Sequence, residues 1–211
     1  MFESLRAVPA DPILNLSVLY RQDTNPNKVD LGVGVYKDET GHTAIMEAVS
    51  RAEERLLSEE DTKAYVGMAG SKRFCDLLSQ ATLGSDHQVF ADKRIAVAQT
   101  PGGSGALRVL AEFINVAKPK ATVWVGNPTW ANHHAVMESA GLVVKEFPYY
   151  NRDTKSVDFD AMLASLEANA KPGDVVLLHG CCHNPSGADL TLPQWQATAD
   201  LIKAKGLLPY V

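Results

Sequence analysis

The sequence predicts an α/β protein in which a parallel or mixed sheet carries helices on both faces. Three observations lead there. From about Ala44 onward, apolar segments of strand composition alternate with segments whose apolar residues recur at helical spacing. Asp174–His179 is almost continuously apolar, as a strand covered on both faces must be. Strand and helix are joined by turns rich in Gly, Pro and Asn, which supply the backbone angles a reversal needs.

The elements follow in order. Residues 1–12, with Pro9 and Pro12, read as an extended arm, because proline disfavours helix in the residue before it. Ile13–Tyr20 suits a short helix, and the glycine-rich Val29–Tyr36 a strand or a close-packed loop. Ile45, Val49, Ala52 and Leu56 mark a helix with Glu47 and Arg51 as an i,i+4 pair, and Phe74, Leu77, Leu78 and Ala81 mark another. A strand is expected at Ile95–Thr100, then a helix facing inward through Leu107, Leu110, Ala111 and Ile114. Strands are expected at Thr122–Val125, Leu142–Phe147 and Asp174–His179. Helices should end near Gly141 and Pro172–Gly173, and a last one should run from a Thr191–Gln194 capping box to Gly206. Gly206–Val211 reads as the entry to a further buried strand, an ending that suggests a cut chain.

Composition narrows the function. In 211 residues, 45% hydrophobic and 21% charged content is ordinary for a chain that buries a core. A net charge of −5 with scattered lysines and arginines speaks against a nucleic-acid surface. The N-terminus lacks the pattern of a signal peptide, and no apolar run is long enough to cross a bilayer. Cys75, Cys181 and Cys182 make no disulfide framework and fit a reducing cytoplasm.

Three loops stand out, each after an expected strand, where open parallel sheets bind ligands. Thr100–Leu107 contains Gly102, Gly103 and Ser104 ahead of a helix, so free N–H groups and the helix dipole could cradle a phosphate; a plain tight turn is the competing account. The loop is neither a Walker loop nor a dinucleotide fingerprint. Asn127–His133 offers Trp130 to stack on a flat ring and His133 near it, although most tryptophans are packing residues. His179–Gly187 contains two histidines and adjacent cysteines. The spacing is wrong for tetrahedral zinc, so no metal is expected and Asn184 is the better ligand-facing candidate.

The segments ADPIL (10–14), LGVGVYKDETG (31–41), TPGGSGALR (100–108), NPTWANH (127–133), DFDAM (158–162) and HGCCHNPSGADLT (179–191), in this order, resemble fold-type I, class I aminotransferases that use pyridoxal phosphate. The likeness is to the branch of aspartate and aromatic-amino-acid aminotransferases and runs from residue 1 to 211. It implies an N-terminal arm (1–12), a segment of the small domain and active-site lid (13–44) and an incomplete large cofactor-binding domain (45–211). It implies that Gly102, Gly103 and Ser104 hold the 5′-phosphate, that Trp130 stacks on the pyridine ring and touches substrate, and that Asn184 bonds the ring's phenolic oxygen and also meets substrate. Tyr65 would reach a neighbouring subunit's phosphate, Gly34 would sit on the closing lid beside substrate, and His133 would support the aspartate that pairs with the pyridinium. Ser186 stands where threonine is commoner. The Schiff-base lysine and the aspartate that pairs with the ring nitrogen would lie beyond residue 211, so no catalytic residue is assigned and these 211 residues alone are expected not to transaminate. The same likeness implies two later strands beside Ile95–Thr100, substrates that are amino acids and 2-oxo acids, and a homodimer. A nucleotide-binding Rossmann domain and a non-enzymatic relic are the competing accounts; the first lacks GxGxxG and gives Trp130 and Asn184 nothing to do.

Overall fold

The computed structural model describes residues 3, 12–30, 32 and 34–211, with the side chains of 12–14 left out. Most of the expected arm, Leu31 and Val33 therefore lie outside the described residues. The chain divides into two compact units, Met1–Tyr65 and Val66–Val211.

The first unit contains α1 (Pro12–Gln22) and α2 (Glu47–Glu59). Arg51 pairs with Glu47, and Arg55 lies 3.2 Å from Glu59, along the exposed face of α2. Among the described residues, 34–36 form no strand, so this part of the glycine-rich stretch is a loop.

The second unit contains α3 (Lys72–Leu83), α4 (Gln88–Ala91), α5 (Gly102–Ala117), β1 (Thr122–Asn127), α6 (Asn132–Ser139), β2 (Val143–Pro148), β3 (Tyr150–Asn151), β4 (Ser156–Val157), α7 (Phe159–Asn169), β5 (Val175–Leu177), α8 (Leu192–Lys205) and β6 (Leu208–Tyr210). Among the described residues the main sheet has the order β2-β1-β5-β6, every pair parallel, and β3 and β4 form a small antiparallel hairpin beside it. The pleat sorts side chains by parity. Val123 and Val125 of β1, with Val175 and Leu177 of β5, pack against Ala111 and Ile114 of α5 and Met137 of α6. Trp124 and Val176 point the other way, into Met162 and Leu166 of α7 and Ile202 of α8. Both faces of β1 and β5 are thus covered, which explains their lack of polar alternation.

Local signals act where expected. In α8, Thr191 N–H donates to Gln194 Oε1 at 2.9 Å, and Gly206 ends the helix in the left-handed region at φ 63°. Trp124 Nε1–H donates to Asp174 Oδ2 at 3.0 Å, so the one polar atom of a buried indole is satisfied.

Two expectations need correction. Ile95–Thr100 forms no strand, because a strand exists through a paired neighbour and no described strand lies alongside it. It is held instead by Gln99, whose N–H donates to Ala69 O at 2.8 Å and whose Oε1 accepts from Ser71 N–H at 2.9 Å. On α5, Ala111 and Ile114 are buried and Leu107 packs against them, but Leu110 remains exposed. Among the described residues no helix is long and apolar enough to cross a membrane.

Candidate functional site

Because the sheet is parallel, the chain leaves β1, β5 and β6 at one rim. There the second unit forms an open cavity of about 300 Å³. The turn after β1 contributes Trp130 and His133. The loop after β5 contributes His179, Cys181, Cys182 and Asn184, and Leu107, Leu177 and Tyr210 supply apolar wall. Tyr210 Oη–H donates to Leu107 O at 3.0 Å, tying the end of β6 to α5.

Of the residues singled out in the sequence, Trp130, His133 and Asn184 share this cavity. Gly102, Gly103 and Ser104 do not line it; they form the exposed first turn of α5, and Leu107, one turn on, reaches the wall. Gly102 needs to be glycine, since its φ is +68°. The preceding residue is Pro101, whose side chain accepts no capping bond, so the first N–H groups of α5 are not capped by it. Gly34 and Tyr65 are exposed residues of the first unit.

An aromatic chain runs behind the cavity. His133 meets the Trp130 ring edge-on at 5.4 Å and the His179 ring at 5.2 Å. His179 stacks on His183 at 4.3 Å, and His183 on Tyr149 at 4.0 Å. Burial disfavours charge on these imidazoles: it is the main cause that brings His133 and His183 down to about 4, and it lowers His179 as well. All three rings are neutral at pH 7. The loop between them is fixed by Asp189, whose carboxylate accepts the N–H of Cys182 and of His183, each at 2.8 Å. Those two bonds, His183 first, hold its pKa below the usual aspartate value.

His179 also lines the cavity. Its Nδ1 accepts the Asn184 N–H at 2.9 Å, so the neutral ring carries its proton on Nε2. That Nε2 is buried and, among the described residues, has no hydrogen-bond partner. No spacing rule marks it, because its neighbour Asn184 reaches it only through a loop that folds back. The described residues hold no group of three or more His, Cys, Asp or Glu placed for a metal.

A family profile described as aminotransferase class I and II matches residues 26–211. The aspartate aminotransferase of Salmonella typhi is 50% identical over 209 residues, 99% of this chain and 52% of that protein. The aromatic-amino-acid aminotransferase of Paracoccus denitrificans is 45% identical, over 100% of this chain and 52% of its own length. Among solved structures, an aromatic-amino-acid aminotransferase from Burkholderia pseudomallei, covalently bound to pyridoxal phosphate, superposes with a TM-score of 0.94 at 39% identity, covering 99% of this chain and 52% of that one. The chain spans about half the length of the curated relatives it matches.

Proposed function

The chain belongs to the class I and II aminotransferases, and from that premise we propose that it provides the cofactor-gripping part of an enzyme that moves the amino group of aspartate or an aromatic amino acid to a 2-oxo acid, using pyridoxal phosphate. The observation that carries this is the meeting of Trp130 and Asn184, 54 positions apart in sequence, on one cavity wall.

The residues that line the cavity suit the cofactor's ring. A flat heteroaromatic ring finds an indole to stack on, neutral imidazoles behind it and, in the wall, the Nε2–H of His179, which has no partner among the described residues. In this reading Trp130 orients the ring and meets substrate, Asn184 donates to the ring oxygen, and His133 stiffens Trp130 from behind. Thr129 Oγ1, 2.8 Å from His133 Nδ1, holds that imidazole in turn. The phosphate goes to the N–H groups and hydroxyl at Gly102, Gly103 and Ser104, where the positive end of the α5 dipole attracts an anion. Gly34 belongs to a lid beside the substrate, and Tyr65, fully exposed here, serves the phosphate site of a second copy in a homodimer. When bound, the cofactor draws electron density from the substrate's α-carbon so that an amino group can be exchanged. Among the described residues no lysine lines the cavity, and in this reading these 211 residues by themselves hold the cofactor without a covalent bond and do not turn over.

Titrating the chain with pyridoxal phosphate while following tryptophan fluorescence tests the assignment. Saturable quenching is expected, with weaker binding of phosphate-free pyridoxal and loss of the signal in Trp130→Ala. Equal quenching in that variant would place the ligand elsewhere.

A further inference from the structure

Cys181 and Cys182 are not used by the function above, and their placement is unusual. Both are free and exposed, and both line the same cavity. Cys182 adopts a left-handed φ of +51°, which is costly for a side-chain-bearing residue. That conformation is held by its own N–H bond to Asp189 Oδ2, while the neighbouring N–H of His183 is held by Oδ1. The loop therefore presents two thiols side by side on a fixed backbone. The Cys182 thiol is pushed up chiefly by the charge of and the hydrogen bond to Cys181, so the two side chains act on each other directly.

Two adjacent thiols have three possible uses. Adjacent Cα atoms lie about 3.8 Å apart across a trans peptide. That is below the roughly 4.4 Å minimum usual for a disulfide, so a direct S–S bond would be strained and easily reduced. Zinc and related cations need three or four ligands, and no such group exists among the described residues. A species that inserts a single soft atom between the sulfurs relieves the geometry and needs only two ligands. We propose that Cys181 and Cys182 form a dithiol site for trivalent arsenicals, opening on the cavity that Trp130 and Asn184 line. The reaction is a condensation: an organoarsenic(III) oxide and two thiols give two As–S bonds, both S–H bonds break, and the oxide oxygen leaves as one water. Arsenic stays trivalent and the sulfurs stay reduced, so no oxidant is required. The site stands on the thiols alone and does not depend on which cofactor the cavity takes.

Phenylarsine oxide is the probe, and intact-mass spectrometry of the folded 211-residue chain is the readout. One arsenical less one water should be gained per chain, resist excess monothiol and be removed by a 1,2-dithiol. Cys181→Ser and Cys182→Ser should each lose the monothiol-resistant adduct, whereas Cys75→Ser, at a buried position, should keep it. Labelling the parent chain before and after unfolding in urea gives a test without variants. An adduct that forms only on the unfolded chain would overturn the proposal. So would a single-serine variant, shown folded by circular dichroism, that holds the arsenical as firmly as the parent.

Discussion

The His183 imidazole lies on the Tyr149 ring with centroids 4.0 Å apart and an interplanar angle of 18°, while the Tyr149 hydroxyl donates to Ala188 O at 2.7 Å. One residue at the end of the sheet thus supports the cavity loop from below and pins its far end. Burial pushes the Tyr149 hydroxyl up to about 12, so it remains a donor throughout the physiological range. Tyr149→Phe removes the bond and leaves the stack. The expected cost is about 1 kcal/mol, read as a fall of roughly 2–4 °C in Tm, with the cavity loop becoming more susceptible to proteolysis. An unchanged Tm would mean that the Ala188 bond contributes nothing.

Acid should loosen the same region in two steps. His133 and His183 titrate near 6.5 when unfolded and at about 4 when folded. Between these values the unfolded chain binds more protons, so the stability from the neutral rings is complete above pH 6.5 and declines as pH falls toward about 4. Asp189 acts lower: its folded pKa lies beneath the ordinary 3.8, so its contribution is present above that value and is lost as pH falls through the folded pKa. Urea midpoints measured from pH 8 to pH 4 should drop in the histidine window, and His183→Asn should flatten that drop. A parent chain equally stable at pH 7 and pH 4.5 would contradict the neutral-histidine account.

Gly70 tests how Ile95–Thr100 is anchored without a strand partner. Its φ is +84°, and a Cβ built there would lie 2.3 Å from Gln99 Cβ. Gly70→Ala combines left-handed strain, about 1–3 kcal/mol, with a contact that cannot be accommodated in place. Loss of cooperative unfolding or a clear fall in Tm is expected, along with faster hydrogen exchange at the Gln99 amide. Exchange unchanged from the parent would show that Gln99 does not anchor the segment.

Asn184 separates holding a ligand from holding the fold. Its backbone N–H bonds His179, and its side chain is exposed at the cavity. Asn184→Ala should therefore alter stability by less than about 0.5 kcal/mol. The loss of one hydrogen bond should weaken pyridoxal phosphate by about 1 kcal/mol, a several-fold rise in Kd. A variant with unimpaired affinity would remove Asn184 from the site.

Much of the fold was legible before any coordinates. The capping box at Thr191 and Gln194, the stop at Gly206 and the apolar strand Val175–Leu177 depend on residues close together in sequence, and each formed where the pattern put it. Ile95–Thr100 has the same strand-like composition and failed to become one, since pairing needs a partner that local composition does not reveal. At the candidate site, loop composition and the likeness to known motifs mark Trp130 and Asn184, whereas His179 carries no local signal, because its role depends on a proton location fixed by a bond from Asn184.

By itself, then, the sequence determined the helix and strand periods, the caps and the motifs that mark the family, all of them short-range properties of the chain. Only the tertiary structure decided that β1 and β5 lie side by side, and so that the loops behind them share one cavity. That outcome belongs to non-local pairing and two-sided packing, in which residues some 50 positions apart become neighbours because burying both faces of the sheet leaves them no other place.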